Sequence, residues 1–156
     1  MTAVHRIVTR SAGETQALAA AVSAVLPRGT VLLLDGELGG GKTTFVQGLA
    51  RGLGLPREPV SPTFVLVREY DGLLHVDLYR LDAAEAASLA WDDYLDGKRL
   101  VAVEWSSRLP ADFPLGNIPR LDLAFEIVDA RRRRITVAYE EVPDPLRRRL
   151  EELWCG

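Results

Sequence analysis

Residues 36–43 of this 156-residue chain, Gly36-Glu37-Leu38-Gly39-Gly40-Gly41-Lys42-Thr43, carry the strongest sequence signal for its fold class and its ligand. This stretch matches the phosphate-binding pattern G-x-x-x-x-G-K-[ST] without a substitution. Glycines let the backbone wrap closely around an anion, and the helix that follows adds unpaired N–H groups and the positive end of its dipole. Lys42 would reach the β- and γ-phosphates, and the Thr43 hydroxyl would ligate Mg²⁺. The stretch therefore predicts a nucleoside triphosphate site.

The residues on both sides of this stretch predict the strand and the helix that a phosphate loop requires. Residues 30–35 form a short apolar run, typical of a buried parallel strand. Downstream, apolar residues recur at helical spacing, and Gly52 and Gly54 suit the C-terminal cap of that helix. The loop is therefore expected to lie between a strand and a helix.

The composition of the chain is typical of an ordinary soluble globular protein. The sequence is 47% hydrophobic and 26% charged, and it predicts one domain over residues 1–156. No run approaches the roughly 18 apolar residues of a membrane span, and residues 1–6 lack a signal-peptide apolar core. Cys155 stands alone, which argues against an internal disulfide or a cysteine metal cluster. We therefore expect a cytoplasmic protein with no membrane partner.

The formal net charge of −3 gives no electrostatic footprint for unaided nucleic-acid binding. Arginines are nevertheless dense at 131–134 and 147–149. Each run is typical of a solvated face, and contact with an anion or a partner is the alternative.

The remaining pattern predicts an α/β fold with a mixed, partly antiparallel central sheet. Asp71-Gly72 joins two β-rich runs and is a strong hairpin signal, so the sheet cannot be wholly parallel. A second hairpin is predicted about Asp129-Ala130. The predicted strands outside the phosphate-loop unit are 6–9, 64–70, 73–78, 100–103, 120–128 and 134–140, and the predicted helices are 11–26, 82–91 and one that begins at Asp144.

Two acidic residues could complete a magnesium site, because one threonine cannot fix the metal alone. Glu104 follows the apolar run 100–103, and Asp77 follows the run 73–76, so both lie at predicted strand ends. Either could orient the metal or the attacking water. The alternative for each is a strand-end acid that caps a helix or pairs with an arginine. Asp35, just before the loop, is expected to cap the turn.

Three further features permit two interpretations each. The hydroxyls of Ser61 and Thr63 suit a switch that senses the γ-phosphate, or they belong to ordinary turn residues. Trp105 could stack on a nucleotide or fill the core, and its position alone favours the core. His75, a lone histidine on a β-rich run, is typical of a packed core residue rather than a ligand.

Four motifs in this order resemble the TsaE (YjeE) family, the small bacterial ATPases needed to make threonylcarbamoyladenosine at position 37 of tRNA. The motifs are residues 36–45, Ser61-Pro62-Thr63-Phe64, residues 75–81 (HVDLYRL) and Val103-Glu104-Trp105. The resemblance spans about residues 11–131. One departure is Ser106-Ser107, where the family often has proline after Glu-Trp.

The resemblance implies a P-loop NTPase-like three-layer sandwich that binds ATP with Mg²⁺. Thr43 and Glu104 would hold the metal, and Asp77 would act in hydrolysis together with Lys42 and Glu104. Thr15 would lie near the adenine, and Arg131 corresponds to an arginine after the turn of the last hairpin. The residues expected to contact the nucleotide are Thr15, Gly39, Gly40, Gly41, Lys42, Thr43, Thr44, Ser61, Thr63, Trp105, Ser107 and Arg131.

The resemblance also implies partners and a regulated activity. The chain would bind ATP and ADP, hydrolyse ATP weakly alone, and act as a switch gated by the TsaD and TsaB proteins, meeting tRNA only indirectly through that complex. The alternative from another class is a small-molecule P-loop kinase with residues 131–134 as a lid. A GTPase is disfavoured because the chain has no Asn-Lys-x-Asp element, and its second lysine, Lys98, follows glycine.

Overall fold

Helices and strands alternate along the chain, which a computed structural model describes at residues 4–56 and 66–155. The strands are β1 (Val4–Thr9), β2 (Val31–Gly36), β3 (Val67–Tyr70), β4 (Leu73–Asp77), β5 (Leu100–Glu104), β6 (Arg120–Ile127) and β7 (Arg133–Glu140). The helices are α1 (Ala12–Val25), α2 (Lys42–Gly52), α3 (Ala83–Ala87), α4 (Trp91–Tyr94) and α5 (Asp144–Cys155), with a 3-10 turn at Ser106–Arg108.

The strands form one mixed sheet in the order β1-β7-β6-β2-β5-β4-β3 within the described ranges. The four inner strands β6, β2, β5 and β4 are parallel to one another, whereas β3, β7 and β1 pair antiparallel toward the two edges. Both predicted hairpins are present, so the prediction of a partly antiparallel sheet is confirmed. Since parallel strands end at the same edge, Gly36, Asp77 and Glu104 are brought to one side of the molecule.

Helices cover both faces of the sheet, as the three-layer prediction requires. On one face, α1, α2 and α5 pack against the sheet through buried residues that include Phe45, Leu49 and Leu150. On the other face, Ala86 and Trp91 pack against the apolar residues of β4 and β5. This arrangement is the α/β sandwich of P-loop NTPases.

The helix predicted over residues 82–91 is shorter than expected. The capping box of Asp82 and Glu85 is present, but α3 ends at Ala87 and α4 begins only at Trp91. The break arises because the indole of Trp91 turns into the core and donates to the carbonyl of Ala86 at 2.7 Å. Burial of a large aromatic ring therefore overrides the helical pattern here. No helix in the described ranges is both long and apolar enough to cross a membrane.

Gly48 and Gly52 allow α2 to lie directly on α1. A Cβ at Gly48 would meet the carbonyl oxygen of Gln16 at 2.4 Å, and one at Gly52 would meet the Ser23 hydroxyl at 1.9 Å. The prediction that Gly52 caps α2 is therefore wrong, because this residue is helical and packs against α1, whereas Gly54 takes the positive φ of a terminating glycine.

Gly48→Ala should lower the free energy of unfolding by about 1–3 kcal/mol, because overpacking a close helix contact forces the helices apart. Urea unfolding measures this change. Gly13→Ala is the matched control, since a Cβ there meets only the Ser11 hydroxyl at 3.7 Å. That control should leave stability unchanged or raise it by up to about 1 kcal/mol. Equal stability of the two variants would contradict the close packing of α1 on α2.

Candidate functional site

The phosphate loop runs from the end of β2 to the start of α2. Gly41, the N-cap of α2, has a φ of 107°, a left-handed conformation that side chains disfavour. A Cβ at Gly36 would meet the carbonyl oxygen of Phe125 at 2.3 Å, because β6 passes directly against the loop. The backbone geometry of the loop therefore requires glycine at Gly36 and Gly41. The loop forms a concave backbone cradle of the kind that binds phosphate.

Lys42 is held inside this cradle. Its Nζ donates to the carbonyl oxygens of Gly36 at 2.6 Å and Glu37 at 3.0 Å, and it lies 4.0 Å from the centre of the Trp105 ring. The side chain is only 4% exposed. Burial lowers the pKa of Lys42, and nearby carboxylates, led by that of Glu104, oppose this shift. The ammonium group is thus positioned by loop carbonyls at the site where phosphate oxygens are expected.

Glu104 connects the loop to the sheet. Its two carboxylate oxygens accept from the Thr43 hydroxyl at 2.9 and 3.0 Å, and its Oε2 is hydrogen-bonded to Nε2 of His75. Glu104 is 2% exposed, so these hydrogen bonds take the place of water around its carboxylate, and the charge of Lys42 lies nearby. The two residues predicted to hold the metal therefore touch each other, and Glu104 neither caps a helix nor pairs with an arginine among the described residues.

These ligands fit Mg²⁺ in combination with a nucleotide. Thr43 and Glu104 offer the oxygen donors that Mg²⁺ prefers. Over residues 4–56 and 66–155 no cluster of three or more acidic, histidine or cysteine side chains could hold a metal by itself. Because Mg²⁺ is usually bound by one or two protein oxygens plus substrate phosphates and water, this sparse set is suitable for a nucleotide-dependent metal.

Asp77 lies beside this pair. It ends β4 opposite Glu104 of β5, it is 7% exposed, and it accepts the main-chain N–H of Tyr79 at 3.0 Å. Burial raises the pKa of Asp77, and the charge of Glu104 adds to the increase. A carboxylate with a raised pKa accepts a proton more readily at neutral pH. Asp77 is therefore suited to the hydrolytic role predicted for it.

Trp105 has a left-handed backbone, with a φ of 58° that is unusual for a large side chain. This conformation places its ring over Lys42 and against the ring of Tyr79, with the two ring centres 4.8 Å apart. The ring also packs against the apolar core on the face of the sheet that Ala86 and Trp91 cover. Trp105 therefore packs against the core, as its position predicts, and it also lines the loop, whereas its stacking on a nucleotide stays a prediction.

Two cavities flank the loop. The larger, of about 370 Å³, is lined by Ser11, Ala12, Thr15, Gly39, Gly41, Thr44, Ala130, Arg131 and Arg133. The smaller, of about 130 Å³, is lined by Leu38, Gly39, Gly40, Gly41, Lys42, Thr43, Thr44, Glu104 and Trp105. The larger volume is within the range of small-ligand pockets. The structure therefore brings most of the predicted contact residues around one loop.

Three predicted contacts lie elsewhere or outside the described residues. Ser107 lines neither loop cavity, since its hydroxyl donates to the carboxylate of Asp35 at 2.8 Å. Asp35 therefore holds the 3-10 turn that follows β5. Ser61 and Thr63 fall in the range 57–65, outside the described residues. The roles of these three residues in nucleotide binding stay predictions.

Arg133 and His75 contact the site, although the sequence predicted His75 as a core residue and named Arg133 only as part of the run 131–134. Arg133 Nε donates to the carbonyl of Gly39 at 3.1 Å, next to the predicted Arg131. His75 precedes Asp77 by two residues on β4, so strand alternation places both side chains on one face. This alternation with Asp77 is the sequence signal that could have placed His75 at the site. The position of Arg133 depends on the hairpin register, which the run of four arginines conceals.

A family model that matches most of the chain establishes which protein family it belongs to. The model of the family described as "Threonylcarbamoyl adenosine biosynthesis protein TsaE" matches residues 9–135. The chain belongs to the TsaE family. Its phosphate loop, Asp77, Glu104 and Trp105 all lie inside the matched range.

Individual TsaE proteins and a solved structure support the same assignment. The TsaE of Bacillus subtilis is 39% identical over 79% of this chain and 78% of its own length, and that of Treponema pallidum is 36% identical over 85% and 99%. The TsaE of Synechocystis is 52% identical, but this match covers 54% of the chain and only 59% of that relative. The crystal structure of YdiB from Bacillus subtilis superposes with a TM-score of 0.72 at 31% identity, over 98% of this chain and 95% of that one.

Proposed function

We propose that this chain binds ATP with Mg²⁺ at the phosphate loop, hydrolyses it slowly, and thereby supports threonylcarbamoyladenosine formation at tRNA position 37 through TsaB and TsaD. The observation that carries the proposal is the contact between Thr43 and Glu104 beside Lys42, in a chain of the TsaE family. We further propose that residues 1–156 act as one ATPase domain.

Each group has a distinct task in this mechanism. The loop amides and the N-terminus of α2 bind phosphate oxygens, and Lys42 exchanges its carbonyl partners for the β- and γ-phosphates. Thr43 and Glu104 would hold Mg²⁺, which would neutralise charge that develops on the phosphates. Asp77 orients the attacking water and accepts its proton. The rest of the nucleotide occupies the larger cavity, with Thr15 near the adenine and Arg131 at its side.

The geometry of the arginines supports slow hydrolysis by the isolated chain. Arg133, which contacts the loop, donates to the main-chain carbonyls of Gly39, Asp129 and Arg132. Its guanidinium is thus engaged with the backbone, whereas an arginine finger must reach the transferring phosphate. A partner that supplies such a charge, or repositions Arg133, would accelerate the reaction.

The experiment combines a pull-down with a measurement of phosphate release. Tagged chain is mixed with TsaB and TsaD from the same source, with ATP, with ADP or without nucleotide. We expect co-purification that depends on ATP, and phosphate release that rises about tenfold or more in the complex. Two results would contradict control of hydrolysis by TsaB and TsaD. One is turnover of tens per second by the isolated chain with no change when the partners are added. The other is association with the partners that does not depend on nucleotide.

A small-molecule kinase would use residues 131–134 as a cationic lid, but two of these arginines are paired within the hairpin. Arg132 is paired with Asp129 at 2.6 Å, and Arg134 is paired with Glu126 at 3.4 Å. These contacts hold two of the four arginines on the β6–β7 hairpin itself. Formation of ADP and free phosphate alone is the expected product pattern, and phosphate transfer to a metabolite would favour the kinase.

A further inference from the structure

We propose that His75 is a positioning residue that fixes the Glu104 carboxylate for Mg²⁺, and so sets how strongly the metal tightens nucleotide binding. The proposal rests on the proposed function, because it needs a nucleotide–metal complex at the loop.

The imidazole of His75 is committed to Glu104. The side chain is 0% exposed, and its Nε2 is hydrogen-bonded to Glu104 Oε2. An ionised carboxylate only accepts, so Nε2 carries the proton and donates it. The other ring nitrogen, Nδ1, has no hydrogen-bond partner among the described residues. Glu104 is therefore the one hydrogen-bond partner that the described chain gives this ring.

Thr43 and His75, the two hydrogen-bond partners of Glu104, have different roles when a metal binds. Thr43 is the second residue of α2, directly after the loop, and its hydroxyl oxygen is expected to ligate the metal. His75 lies on β4, whose parallel pairing with β5 fixes its place relative to Glu104. When the Thr43 oxygen turns to a metal, the bond from His75 still restricts the rotation of the carboxylate. Outer partners of this kind orient metal ligands and raise metal affinity.

Simple packing does not explain a histidine at this position. Its neighbours along β4, Leu73, Leu74 and Val76, are fully buried and apolar. An aliphatic side chain would fill the same space without the cost of burying a polar ring that makes one hydrogen bond. The geometry therefore assigns the ring to Glu104 rather than to the core.

The test compares the ADP affinity of the 156-residue chain in Mg²⁺ with its ADP affinity in EDTA. His75→Leu removes the N–H that donates to Glu104 and leaves an apolar side chain of moderate size. His75→Gln keeps an N–H donor of similar reach. His5→Gln is the control, because His5 is the other histidine of the chain and lies 3.5 Å from Glu151. In His75→Leu, we expect the ADP affinity in EDTA to stay within about twofold of the parent value. The factor by which Mg²⁺ increases ADP affinity should fall about tenfold. His75→Gln should recover most of that loss, and His5→Gln should match the parent chain.

Two results would overturn the proposal: full metal-dependent tightening in His75→Leu, or equal losses with Mg²⁺ and with EDTA in both His75 variants. If His75→Leu fails to fold, proton NMR of the parent chain decides. The spectrum should contain a slowly exchanging, downfield N–H signal from the His75 imidazole. This signal should persist in His5→Gln and should shift when Mg²⁺ and ADP are added. Absence of the signal would overturn the proposal. Failure of the parent chain to bind ADP at all would instead refute the nucleotide site, and with it the proposed function.

Discussion

Lys42→Ala should weaken ADP binding by about 100-fold or more, because it removes the one buried ammonium that faces the expected phosphate position. Lys42 lies where the loop meets α2, and the contacts of its Nζ are with two loop carbonyls and the Trp105 ring. The change also frees the carbonyls of Gly36 and Glu37, which water can then solvate. We therefore expect a modest loss of stability and a large loss of affinity.

Calorimetric titration with ADP measures this effect, and thermal unfolding verifies that the variant is folded. Lys98→Ala is the matched control, because Lys98 is the other lysine of the chain and lies in an exposed turn before β5. The control should bind ADP as the parent chain does. Unchanged ADP affinity in Lys42→Ala would place the ligand somewhere other than the phosphate loop.

Glu104→Ala should remove most of the metal-dependent part of ADP binding, a loss of about tenfold or more. Metal-free binding should fall much less, because Glu104 is an anion and cannot attract phosphate directly. The measurement is the ratio of ADP affinities with Mg²⁺ and with EDTA. Glu126→Gln, at an exposed carboxylate on β6, is the control and should leave that ratio unchanged.

A second variant separates metal binding from structural support at this position. Glu104→Gln keeps the shape of the side chain and its hydrogen bond with Thr43, but it removes the charge. If the affinities with and without Mg²⁺ fall equally in both Glu104 variants, then the residue stabilises the loop and does not bind the metal.

Local signals predicted the central part of this structure. The glycines and Lys42 identified the loop, the apolar runs identified β2 and β5, and Asp71-Gly72 identified the β3–β4 hairpin. These features depend on residues adjacent in sequence, whose physical preferences are strong. Glu104 and Asp77 were identified as candidates in the same way, because each follows an apolar run, and the resemblance to the family then implied Glu104 as a metal ligand.

Features that depend on pairing between distant segments were not predicted. The bond from His75 to Glu104 requires that β4 lie beside β5 in one particular register. The contact of Arg133 with Gly39 requires the register of the β6–β7 hairpin against the loop. The left-handed backbone of Trp105 has no sequence signal either, because non-glycine residues rarely adopt it. Each of these features lies at the site, where long-range constraints determine the side-chain positions.

Calorimetric titration of the 156-residue chain with ADP and Mg²⁺, with GDP as a competitor, tests nucleotide binding at the phosphate loop directly. We expect one ADP to bind per chain, more tightly with Mg²⁺ than without it, and GDP to displace it only weakly. Absence of ADP binding, or displacement by GDP as effective as that by ADP itself, would refute an adenine-nucleotide site at the loop.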